Sequence, residues 1–198
     1  SRDSSRTPLM VVAVFALLWW VIAALVSLTA AWKQVELTLL DRMMVASAPN
    51  KSVFPITLVG IDEASFTELA LQWPWPRRLH AELIDRLVAA GASVIVMDVT
   101  FSEPSNKEDD RRLADAIRRA GNVVLAANRV YRESSSVRQW IRQDPIQALT
   151  DAGAQVGLAT VALDRDLVVR QIPESSDALW RTVVVRLIRE HPEITPNL

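Results

Sequence analysis

Hydrophobic and polar positions divide the chain into an apolar opening, a short transition and a long alternation of strand-like and helix-like stretches. From Thr7 to Trp32 no side chain is charged, and Val, Leu, Ala, Ile and Trp dominate. A run of this length exceeds the roughly 20 apolar residues that cross a bilayer, and it lacks the polar stripe of a helix lying on a globular core. It predicts a transmembrane helix over residues 8–32 after a tail over residues 1–7, with Trp32 as an interfacial anchor and Lys33 closing the apolar run. A cleaved signal peptide is the alternative, since Arg2 and Arg6 form a basic start and Thr29-Ala30-Ala31 is faintly like a cleavage site. Signal cores span about 7–15 residues, so the reading adopted is an uncleaved anchor.

Residues 33–50 form the transition. Val35, Leu37, Leu39, Leu40 and Met43 among polar neighbours predict a short amphipathic helix over residues 34–44, broken by Ala48-Pro49-Asn50-Lys51. Residues 51–198 read as one domain. The apolar run 56–61, between Pro55 and Asp62, predicts a buried strand, and a small helix follows over residues 65–71. Leu79, Leu83, Ile84, Leu87 and Val88 recur at helical spacing and stop at Gly91; residues 94–99 give a second strand. Leu113, Ala116, Ile117 and Ala120 mark one face of a helix over residues 107–120, with Gly121 at its end and a third strand over residues 123–127. The Arg-rich and Ser-rich stretch 129–144 reads as a long surface loop. A short helix over residues 145–152 follows. Residues 155–163 and 167–172, flanking Asp164-Arg165-Asp166, predict a hairpin, and Leu179, Val183, Leu187 and Ile188 a closing helix over residues 176–190. Apolar strands alternating with helices define the fold class expected: α/β, three-layer, a mostly parallel sheet with flanking helices and a C-terminal β-hairpin, preceded by one transmembrane helix.

Composition narrows the function classes. The chain has 198 residues, half of them hydrophobic, enough for one sizeable core. A net charge of −1 supplies no basic field for a phosphate backbone, so nucleic acid is not an expected partner. The lack of cysteine removes disulfides, thiolate zinc sites and a thiol nucleophile. There is no Gly-rich phosphate cradle, no Gly-x-Ser-x-Gly elbow and no His pair on one helix face, so neither cofactor nor metal is expected. His80 and His191 are the only histidines, and neither has an evident partner in the sequence.

Candidate chemistry gathers where strands would end at one sheet edge, the place where ligands bind in open α/β sheets. Asp62 is either a ligand-binding carboxylate or the N-cap of the helix that contains Ser65. Trp73-Pro74-Trp75-Pro76 fixes two aromatic faces ahead of Arg77, as a lid or a binding platform. Asp98 lies in an apolar strand pattern, where a carboxylate needs a partner, and Arg77 is the partner expected. Asp109 and Asp110 read as helix N-terminal charges. A rival reading collects Asp62, Asp98 and Glu103 around a divalent cation, as in a membrane-tethered metal-dependent hydrolase. A third reading is a scaffold that pairs with a partner through Trp73 and Trp75.

These motifs also carry a resemblance. Ile61-Asp62 with Ser65, Trp73-Pro74-Trp75-Pro76-Arg77, Asp98-Val99-Thr100-Phe101-Ser102-Glu103-Pro104, Asp109-Asp110, Asn122-Val123-Val124-Leu125-Ala126, Gly157 and Asp164-Arg165-Asp166-Leu167-Val168-Val169-Arg170 resemble the pattern of CHASE2 sensory domains over residues 35–188. Met97 and Leu167 depart from it, Leu167 standing where a Gly is usual. The resemblance implies an extracytoplasmic sensor without catalytic activity of its own, anchored in the bacterial inner membrane. It also implies an unidentified small-molecule or protein signal, an output module such as a nucleotide cyclase or histidine kinase, and, by analogy with receptors, homodimerisation. The charges flanking the apolar run are nearly balanced, so the extracytoplasmic placement comes from the resemblance. The start at Ser1 reads as an excerpt or a processed product.

Overall fold

The computed structural model describes residues 6–48, 55–133, 138–164 and 166–192, and the chain divides into two compact units, Ser1–Ile61 and Asp62–Leu198. Arg2 in the expected tail and the expected break at residues 49–51 lie outside the described residues.

The first unit contains helices α1 (Arg6–Ser27) and α2 (Ala30–Ser47). The stretch Met10–Ser27 of α1 is long and apolar enough to cross a membrane. The apolar helix therefore ends earlier than the 8–32 span expected, and the reason is local. The hydroxyls of Ser27 and Thr29 donate back to the carbonyls of Ala24 and Val26 at 2.8 and 2.6 Å. Thr29 Oγ1 also accepts from the Trp32 amide at 3.2 Å, capping a new helix. Trp32 thus belongs to α2, which is helical through residues 34–44 as expected but is not amphipathic, since its apolar side chains are not gathered on one face. Residues 56–61 are not a strand. They carry no ladder and are exposed, Leu58 at 93%. An apolar run is only a strand when a neighbour accepts and donates its backbone hydrogen bonds, and periodicity does not report that neighbour.

The second unit is mixed α/β with a mostly parallel four-stranded sheet. In chain order it comprises α3 (Glu63–Leu69), α4 (Arg77–Ala89), β1 (Ile95–Met97), α5 (Lys107–Ala120), β2 (Val123–Glu133), β3 (Arg138–Gln143), α6 (Gln147–Asp151), β4 (Gln155–Leu158) and α7 (Leu179–Glu190). β2 is central: Ile95–Met97 pair in parallel with Val123, Val124 and Leu125, and Gln155–Leu158 pair in parallel along Val124 to Ala127. The described helices fall where spacing predicts them. Gly121 ends α5 with a left-handed backbone, φ 65°, its amide donating to Ile117 O. The core joins Ala81 and Ile84 of α4, Leu113, Ala116 and Ile117 of α5, Ile95 and Met97 of β1, Val123 and Leu125 of β2, and Leu149 of α6.

Two expectations fail around the outer half of the sheet. The stretch 129–144, read as a surface loop, instead continues β2 to Glu133 and returns as β3, antiparallel from Asn128↔Gln143 to Glu133↔Arg138. Its Arg and Ser content hid the strand-forming Val130, Tyr131, Trp140 and Ile141. The hairpin expected over residues 155–172 extends as a strand only to Leu158. Of the hairpin only a turn remains, with the Asp164 amide donating to Val168 O at 3.0 Å and the Leu167 amide to Asp164 O at 2.9 Å. Leu167 adopts φ 64° there, the left-handed conformation that favours the Gly usual at this place. Arg170 holds the turn by ion pairs to Asp164 and Asp166, and its guanidinium lowers the Asp166 pKa to about 2.

Beyond Leu158 the free edge of β4 is covered. The Leu158 amide donates to Asp177 O at 2.7 Å, and Leu158 bridges Ala178 just before α7 begins. Gly157 permits this approach, since a Cβ there would lie 2.5 Å from Leu179 Cα. Gly157→Ala is accordingly expected to destabilise the domain by about 1–3 kcal/mol through overpacking. Thermal melts of the detergent-solubilised chain check this; an unchanged midpoint would refute the close contact.

Candidate functional site

The site grows from the carboxyl end of β1. The chain leaves Met97, passes Asp98 and buries Phe101, then turns through Glu103 to Asn106, which caps α5. Asn106 Oδ1 accepts from the amides of Glu108 and Asp109 at 2.9 and 3.4 Å, so three acidic residues, Glu108, Asp109 and Asp110, sit in the first turn, where the helix dipole favours them. α4 begins with Arg77 and Arg78, cations at the end of a helix where the dipole opposes them. The two helix starts neutralise one another. Arg77 Nη1 bonds Asp110 Oδ1 at 2.7 Å, and Arg78 Nη1 lies 3.3 Å from Asp109 Oδ2. Arg77 Nη2 also donates to the Glu103 carbonyl, and Asp110 Oδ2 accepts from the Ser105 amide at 3.1 Å.

Around this pair lies a chain of ring contacts. Arg77 is 6% exposed, and its guanidinium carbon sits 5.4 Å from the Phe101 ring centre. Phe101 meets His80 edge-on at 5.3 Å, His80 meets Trp73 at 6.1 Å, Trp73 meets Trp75 at 5.9 Å, and Trp75 meets Phe66 of α3 at 5.2 Å. Trp75 is buried and its Nε1 donates to Leu71 O at 3.3 Å, whereas Trp73 is 47% exposed. The Trp73-Pro74 peptide is cis. His80 is buried, 4% exposed; burial first, and the Arg77 charge second, push its pKa below the ordinary value.

The structure redistributes the residues singled out by sequence. Asp62 is the N-cap of α3: its Oδ1 accepts from the Ser65 hydroxyl at 2.7 Å and the Ser65 amide at 3.0 Å, bonds that lower its pKa in that order. Asp98 lies past the end of β1 and is exposed, and Arg77 pairs with Asp110 instead. The expected Arg77–Asp98 pair is therefore corrected: the strand is only three residues long and releases Asp98 to solvent, while the N-terminus of α5 supplies the carboxylate. Glu103 contributes its backbone carbonyl, its side chain being exposed. Asp62, Asp98 and Glu103 do not converge, and among the described residues no group of three or more His, Asp or Glu side chains could hold a metal ion. Sequence reasoning missed His80 as a member of the site. Its place three residues after Arg77 and seven after Trp73 put it one helical turn from the guanidinium, a legible signal.

The family model for the CHASE2 domain matches residues 12–193. The chain belongs to the CHASE2 domain family, whose members are sensory rather than catalytic and act outside the cytoplasm. Neither a curated protein nor a solved structure matches the chain.

Two outcomes follow from the site. Arg77→Ala is expected to destabilise the domain by about 3 kcal/mol, because it leaves the largely buried Asp110 unpaired. Asp98→Asn, at an exposed position, is expected to stay within about 0.5 kcal/mol of the parent. Urea titrations of both variants in detergent check the pair, and equal effects would refute the assignment of Asp110 as the partner. The second outcome is a pH dependence. His80 is held neutral in the fold, so the unfolded chain takes up a proton first as pH falls. The stability due to the neutral ring is complete above about pH 6.5 and declines as pH drops from there toward the lowered folded-state pKa. Urea midpoints compared at about pH 7 and pH 5 should fall for the parent and fall distinctly less for His80→Phe.

Proposed function

We propose that the chain is the sensory segment of a membrane-anchored bacterial receptor. In this reading α1 crosses the inner membrane once, the α/β unit lies on the extracytoplasmic side, and α2 passes on the signal-dependent change. The output regulated is a cyclase or kinase module of the kind typical of the family. The observation that carries the reading is the continuous family match over residues 12–193, which takes in both the apolar helix and the α/β unit.

The signal, a small molecule or a protein, meets the domain at Trp73 in this reading. Trp73 is the exposed ring of a chain of contacts that ends at Arg77, and Arg77 fixes the starts of both α4 and α5. A ligand resting on Trp73 would thus bear on two helices at once. Transmission requires that the ligand bind one arrangement of these helices better than another.

Fusions at the carboxyl end of the chain test the placement. Alkaline phosphatase fused after Leu198 is expected to be active and green fluorescent protein in the same place dark. The reverse pattern, or a chain recovered in the soluble fraction, would overturn the anchored extracytoplasmic reading.

A further inference from the structure

An open groove of about 850 Å³ lies where the chain enters α7, and its walls include Gln171, Ile172, Pro173, Glu174, Trp180 and Arg181. That volume is within the range of small-molecule sites. Trp180 Nε1 donates to Pro173 O at 2.8 Å, which fixes the indole against the opposite wall, and the ring remains 41% exposed. Ile172, also exposed, adds a second apolar surface. The Arg181 guanidinium carbon lies 5.3 Å from the Trp180 ring centre, so a cation and an aromatic face stand side by side. The two charges of the groove are unmatched: among the described residues neither Arg181 nor Glu174 makes an ion pair, with each other or with a third group. Arg181 also stands in the first turn of α7, which holds no acidic residue and where the helix dipole opposes a cation. At the start of α4 the same arrangement is relieved by Asp109 and Asp110, whereas no described carboxylate does so for Arg181.

We propose that this groove binds a small zwitterion that carries an apolar group, the simplest case being an α-amino acid with an aromatic or large aliphatic side chain. The carboxylate pairs with Arg181, whose planar fork matches it. The ammonium faces Glu174, and the apolar side chain lies against Trp180 and Ile172. An apolar acid without an amine would leave Glu174 unmatched and set a second anion near it. An apolar amine without a carboxylate would leave Arg181 unmatched and add a second cation. Only the zwitterion answers both charges. The groove is separate from Trp73, and the inference goes beyond the receptor reading without depending on it.

Fluorine NMR of three probes tests the assignment on the full chain in detergent micelles, with empty micelles subtracted: para-fluorophenylalanine, its amine without the carboxylate, para-fluorophenethylamine, and its acid without the amine, para-fluorohydrocinnamate. The amino acid is expected to bind about tenfold or more tightly than either analogue, since each analogue forgoes one charge-assisted contact. Arg181→Gln should weaken the amino acid by about tenfold and bring it level with the amine. Glu174→Gln should bring it level with the acid. Both side chains are exposed, so the melting midpoints of the two variants should match the parent. No binding above that of empty micelles would overturn the proposal, as would equal affinity for the three probes, which marks a merely apolar contact. Undiminished binding to both variants would overturn it by placing the amino acid elsewhere on the chain. Each of these outcomes leaves the anchored reading where the fusions put it, because the probes report on the groove alone.

Discussion

One guanidinium ties together segments that secondary structure leaves apart. Arg77 opens α4, yet its hydrogen bonds reach the carbonyl of Glu103 in the loop after β1 and the carboxylate of Asp110 in α5. A lone buried arginine is costly, and a carboxylate at the start of α5 is already favoured by the helix dipole. Each group thus lowers the other's cost. The loop between Phe101 and Asn106 is held by the same pair, because Asp110 also receives the Ser105 amide.

The aromatic chain depends on that anchor. Phe101 lies between the Arg77 guanidinium and the His80 ring, and the two tryptophans extend the contacts to Phe66 in α3. The stretch from Phe66 to Phe101 therefore acts as one packed surface, with Trp73 as its exposed face. These contacts connect the exposed Trp73 ring to the starts of α4 and α5. His80 adds a titratable ring inside that surface, neutral because charging it would mean burying a second cation beside Arg77.

The sheet shows how local rules and assembly divide the work. β2 is long enough to serve two roles: its apolar first half forms the centre of the parallel sheet, and its polar second half pairs with β3 away from the core. Gly157 and the segment Asp177–Ala178 close the opposite edge, where the absence of a side chain lets the backbone before α7 approach β4.

The sequence by itself determined the apolar helix, the α/β alternation and the positions of α4, α5, α6 and α7, because those follow from helical spacing, capping residues and turn glycines within a few residues of one another. The motif from Trp73 to Arg77 and the cap at Asp62 were legible for the same reason. Tertiary structure alone decided the partners. Arg77 chose Asp110 over Asp98 because a three-residue strand left Asp98 in solvent; residues 56–61 lack a ladder despite their pattern; and the Arg-rich stretch after Asn128 became a ribbon because β2 continued past the sheet. Periodicity along a chain records which side of an element is apolar, whereas the identity of a neighbour depends on contacts between residues far apart in sequence, which no local pattern contains.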